Sequence, residues 1–76
     1  MDLRHKVGKV LVQLRKERGL TQEQVSWDVS TDHSYMSGLE LGKRNMTIGK
    51  LSQIAEYYGI SMSEFFKMVE AVEDYG

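Results

Sequence analysis

Five helix-start signals divide these 76 residues: Asp2, Thr21, Asp32, Thr47 and Ser61 each stand just before apolar residues at helical spacing. Two of them open capping boxes, Thr21-Gln22-Glu23-Gln24 and Ser61-Met62-Ser63-Glu64, in which the hydroxyl accepts the N3 amide hydrogen and the N3 side chain reaches back. Gly19, Gly42 and Gly59 supply the matching stops, because glycine takes the left-handed conformation that ends a helix. The punctuation predicts helices over residues 3–18, 22–29, 33–41, 48–58 and 62–74. Their apolar stripes are Leu3, Val7, Val10, Leu11 and Leu14; Met36 and Leu39; Ile48, Leu51, Ile54, Ala55 and Tyr58; and Phe65, Phe66, Met68, Val69 and Val72. No alternating run with a hairpin turn competes with them. The expected fold is all-α, a compact five-helix bundle in a single domain over residues 1–76.

A domain this small buries only about 60% of the surface its unfolded chain exposes. With no cysteine, and with His5 and His33 isolated from other ligands, neither a disulfide nor a metal is expected to compensate, and no cofactor is expected. A partner chain is the remaining support. The last stretch, around residues 62–74, is apolar over more than half its circumference, and Tyr57, Phe66, Val69 and Val72 are the expected dimer contacts, the alternative being a thicker core within one chain. The longest apolar runs fall far short of the roughly 20 residues that cross a bilayer, so no membrane role is expected. The charged start lacks the apolar core of a secretory signal, and the expected location is cytoplasmic.

A net charge of −1 gives no bulk attraction for nucleic acid, but its distribution is uneven. Residues 1–50 sum to +3 and residues 51–76 to −4, which is consistent with one face toward phosphate and one away, or with ordinary variation on a solvated surface.

The tightest local pattern is TQEQVSWDVSTDHSYMSGLE, residues 21–40: a short capped helix, a turn of three to four residues, and a second short, polar helix. Together with YMSGLELGKRNMT and LSQIAEYYGISMSEFF it resembles the phage-repressor (Cro-like) helix-turn-helix family across roughly residues 3–66. Within that family the chain is most similar to the controller proteins of restriction-modification systems, on Tyr35, Ser37, Gly38, Arg44, Asn45 and Thr47.

That resemblance implies a lambda-repressor-like DNA-binding domain. Its third helix would enter the major groove and its second would lie across the backbone. By matching positions it implies base contacts from His33, Ser34, Ser37 and the space at Gly38. It implies backbone contacts from Gln22, acting as a phosphate clamp, and from Thr31, Tyr35, Lys43, Arg44 and Asn45. It also implies a structural salt bridge between Arg15 and Glu40. The chain departs from many members at His33, where they carry arginine, and at Ser26 and Thr31, where they carry small apolar residues. The implied partners are a double-stranded DNA operator and a second copy, with RNA polymerase a further candidate and no small-molecule ligand. Trp27 is expected to pack against the first helix or a rim rather than stack on a base.

The function so implied is transcription regulation by a homodimer on a palindromic operator. The alternative is an antitoxin or antirepressor type of module whose main partner is another protein. An enzyme is not expected, since no nucleophile and base stand at workable spacing and no glycine-rich phosphate loop is present.

Overall fold

The computed structural model describes residues 1–73. The capping signals place the helices: α1 runs Leu3–Glu17, α2 Gln22–Asp28, α3 His33–Glu40, α4 Ile48–Tyr57 and α5 Met62–Ala71. Each of the five expected caps accepts a backbone N–H in its helix's first turn, and both capping boxes close in both directions. Gly19, Gly42 and Gly59 adopt positive φ at the stops of α1, α3 and α4. The turn after α2 has no glycine, and Ser30 takes the left-handed conformation itself, at φ 52°.

The fold is all-α, with no strand among the described residues. Among the same residues no helix is long and apolar enough to cross a membrane. α1 packs on α3 and α5, α2 on α3, and α4 on α5. Val10, Leu11, Leu14, Val25, Val29, Met36, Leu39, Leu51, Ile54, Tyr58, Phe65 and Val69 meet in one core. Gly8 sets how closely α1 crosses the end of α3. A Cβ there would lie 2.5 Å from the Glu40 carbonyl oxygen and 2.8 Å from that of Leu39.

Three elements differ from the sequence expectation. α5 stops at Ala71, three residues before the expected end, and Asp74 lies outside the described residues. Glu70 and Glu73 put negative charge at the negative end of the helix dipole, which shortens a helix end. Ile48, placed on the buried stripe of α4, is 79% exposed, as is Leu3 of α1 at 62%. Both occupy the first position of their helices, which the core does not reach.

Candidate nucleic-acid interface

The α2–turn–α3 unit is built around one buried ion pair. Arg15 of α1 donates through Nε to Glu40 Oε2 at 2.8 Å and through Nη2 to Oε1 at 3.1 Å. Its Nη1 donates to the Leu20 carbonyl at 2.9 Å, which pins the α1–α2 turn. The Glu40 side chain is 3% exposed, and the Arg15 guanidinium is held above its ordinary pKa by the bond to Glu40. Gln22, the first residue of α2, is drawn into the same cluster: its Nε2 donates to Glu40 Oε1 at 2.7 Å. The other end of that amide, Oε1, lies 3.2 Å from Nε2 of His33, the first residue of α3. A continuous polar chain therefore runs from the core to the exposed start of α3. Ser26, where an apolar residue was the family norm, is buried, and its hydroxyl donates to the Gln22 carbonyl at 2.8 Å.

α3 presents His33 and Ser34 to solvent, with Ser37 half-buried one turn on. The loop after it carries exposed Lys43, Arg44 and Asn45, and the Tyr35 hydroxyl holds that loop by donating to the Asn45 carbonyl at 3.0 Å. Gly38 requires a correction. It was expected as open space on the base-reading face, marking either a close approach of the helix or an unread position, but it is buried, and the direction a Cβ would take is filled by the Arg44 side chain, whose Cγ would be 2.5 Å away. Glycine here seats the stem of Arg44. Gln22, expected as a phosphate clamp, spends its carbonyl oxygen on His33 and one N–H on Glu40, which leaves one amide hydrogen for an outside acceptor.

A family model described as a helix-turn-helix domain matches residues 8–70. The chain belongs to the helix-turn-helix domain family. Within it, the chain is 37% identical over 70 residues to control protein C.MunI of a Mycoplasma species, covering 91% of this chain and 95% of that one. It is 42% identical over 64 residues to an uncharacterized HTH-type transcriptional regulator, y4dJ, of Sinorhizobium fredii, covering 84% and 83%. Among solved structures, the wild-type restriction-modification controller protein C.Esp1396I superposes with a TM-score of 0.82 at 36% identity, covering 92% of this chain and 91% of that one. The same controller protein, solved as a tetramer in complex with its natural 35 base-pair operator, superposes at 0.81 with 36% identity, over 92% of each chain.

Family membership leaves the second expected surface to be placed, and here the structure redistributes the residues. Val69 is 2% exposed and sits with Phe65 inside the core, so it has no face to offer a second copy. Val72 is half-buried against the same core. Tyr57 is half-buried too, and its hydroxyl donates to the Asp28 carboxylate at 2.6 Å, a bond that raises the pKa of the phenol. Of the four, only Phe66 stands out, 41% exposed. It lines a groove shared with Leu3, Val7, Met46, Ile48 and Leu51. Trp27 is 85% exposed and walls a cleft beside Ser30, Thr31 and His33 rather than packing against the first helix.

Sequence reasoning missed the residues that tie α4 to the turn. Lys50 Nζ donates to Thr31 Oγ1 at 2.7 Å, and Gln53 Nε2 donates to the Val29 carbonyl at 3.0 Å. The Thr31 hydroxyl, expected at phosphate, therefore already accepts a bond within the protein. Arg18 was read as the end of α1, yet it donates to the Tyr58 carbonyl at 2.7 Å and lies over the Tyr58 ring. A carbonyl left free at a helix C-terminus is the one signal that points to such partners, and it does not say which cation arrives.

Proposed function

We propose that this chain is a sequence-specific transcription regulator of the restriction-modification controller type, binding a palindromic operator as a homodimer in the cytoplasm. The carrying observation is the Arg15–Glu40–Gln22 cluster, which fixes α2 against α3 while His33, Ser34 and Ser37 stay on the outer face of α3. A short helix with small polar side chains on its outer face suits the major groove. Base contacts are assigned to His33, Ser34 and Ser37. Backbone contacts are assigned to Lys43, Arg44, Asn45 and the remaining Gln22 amide hydrogen. Tyr35 and Thr31 support the loop and turn that carry these groups. Operator binding by the controller protein of similar structure supports the reading. The protein works without catalysis in this account.

The dimer surface is assigned to Phe66 with Leu3 and Ile48. They are exposed apolar side chains around one groove, and water is a poor neighbour for such a patch. A palindrome then follows from the two-fold axis of the dimer.

The test is a binding series on duplexes selected from a random library, with folding of each variant checked by circular dichroism. Arg44→Ala should weaken all duplexes alike and lower the salt dependence, as loss of a phosphate contact does. Ser34→Ala should weaken the selected duplex more than a scrambled one. If the wild-type protein enriches no sequence and binds every duplex equally feebly, the regulator reading fails and the protein-partner alternative takes its place.

A further inference from the structure

We propose that Gln22 is a positioning residue that presents His33 to DNA in a single hydrogen-bonding pattern, with Nε2–H turned inward and Nδ1 outward as an acceptor. In that pattern His33 selects a base that offers an exocyclic amino group in the major groove. The proposal rests on the reading of α3 as the base-contacting helix and adds which chemistry one of its positions recognises.

Donors and acceptors fix the orientation of both side chains. The Glu40 carboxylate, buried and ion-paired to Arg15, has only acceptors to offer. The Gln22 atom that meets it at 2.7 Å is therefore the amide nitrogen, and this fixes which way round the amide stands. Its carbonyl oxygen then faces His33 Nε2 at 3.2 Å and can only accept, so Nε2 carries the hydrogen. In the neutral ring the lone pair is left on Nδ1. The ring is exposed, and Nδ1 has no partner among the described residues. The buried ion pair thus dictates, through one glutamine, what His33 shows to an incoming duplex.

An acceptor discriminates between bases. Adenine and cytosine present an amino donor in the major groove, through N6 and N4, whereas guanine and thymine present acceptors, with the thymine methyl besides. A free imidazole offers no such choice, because it can exchange tautomers or turn about its bonds to suit any edge. The glutamine converts a permissive side chain into a selective one.

The experiment is selection from a random duplex library at pH 8.5, where a histidine ring is ordinarily neutral, with the wild type, His33→Ala and Gln22→Met. Methionine keeps the length of the side chain and removes its hydrogen bonds. Arg15 continues to satisfy Glu40, so Gln22→Met is expected to fold. The wild type should prefer one base pair, in one strand orientation, roughly tenfold at one position per half-site. That preference should vanish in His33→Ala and fall to within about twofold of random in Gln22→Met, with the other positions unchanged. Purine in place of adenine, or a cytosine analogue without N4, then tells which amino group is read. Nitrogen-resolved NMR of the free wild type should show the His33 hydrogen on Nε2 in slow exchange with water, and fast exchange in Gln22→Met. Unchanged affinity when the amino group of the selected pair is removed, at the position lost in His33→Ala, would overturn the proposal, as would full retention of the preference in Gln22→Met or a hydrogen on Nδ1 in the wild type. An absence of any selected sequence for the wild type would instead defeat the function on which the proposal rests.

Discussion

Around the α2–α3 turn the buried polar groups are bonded to other parts of the chain, from Arg15 and Glu40 out to Gln22 and His33. At the face formed by the starts of α1 and α4 and by α5, Leu3, Ile48 and Phe66 instead leave apolar surface in water. In the first region Gln22, Thr31, His33 and Tyr35 are bonded before any partner arrives, so little ordering of those side chains is left to be lost on binding. The second region is complete only when something covers it. A small domain with one core has reason to share the tasks in this way: in the proposed function, rigidity is concentrated where DNA is read, and the spare apolar surface is the one assigned to a second copy.

The sharpest way to break the finished region is Glu40→Ala. It leaves the Arg15 guanidinium, 13% exposed, with the Leu20 carbonyl as its remaining hydrogen-bond partner. Loss of one member of a buried pair costs about 3 to 5 kcal/mol, a large share of the stability of a domain this size. Urea denaturation followed by circular dichroism reads it, and a loss below about 1 kcal/mol would mean that the pair does not organise the site. Next in size is Gly8→Ala. The added methyl meets the Glu40 and Leu39 carbonyls, which are backbone and cannot swing aside. A cost of about 1 to 3 kcal/mol is expected in the same assay, with DNA binding falling alongside.

The unfinished region is probed by Ile48→Glu. The side chain is exposed in the protomer and stands in the first turn of α4, where a carboxylate suits the helix dipole, so protomer stability should stay within about 0.5 kcal/mol of the wild type. Burial against a second copy would penalise the charge. Sedimentation equilibrium should show the dimer dissociation constant raised by at least roughly tenfold, about 1.4 kcal/mol. The smallest effect lies between the two regions, at Tyr58. Burial pushes its phenol up to about 12. A folded pKa above the ordinary value of 10 means that the fold favours the neutral phenol. The contribution is whole below about pH 10 and is lost as the pH rises from there through 12. Tyr58→Phe should flatten that alkaline arm of the stability profile and leave the rest unchanged.

How far the sequence anticipates these regions depends on the reach of each interaction. Caps and stops act within four or five residues, so the five helix starts are legible directly, and so are the glycine stops of α1, α3 and α4. The Arg15–Glu40 pair was legible only through family resemblance, because its partners are 25 residues apart. The faces of α4 and α5 were harder. Hydrophobicity marks Phe65, Phe66 and Val69 alike, and only the docking of α5 on α1 decides that Phe65 and Val69 turn inward while Phe66 does not. Ile48 fits its stripe by spacing but sits at the first position of α4, beyond the edge of the core. Gly38 read as a gap facing DNA because its neighbour Arg44 comes from a loop whose course no local rule supplies. The bonds from Lys50, Gln53 and Arg18 to turn and helix-end carbonyls share that difficulty.

The central claim is that the fixed α2–α3 face reads a sequence. The most direct measurement compares binding of the folded wild type and Ser34→Ala to a selected palindrome and to its scrambled counterpart at one salt concentration. The account predicts that the wild type binds the palindrome at least about a thousandfold tighter than the scramble. It predicts that Ser34→Ala gives up roughly fivefold of that ratio through weaker binding to the palindrome alone. Equal affinity of the wild type for both duplexes, unchanged by the substitution, would contradict it.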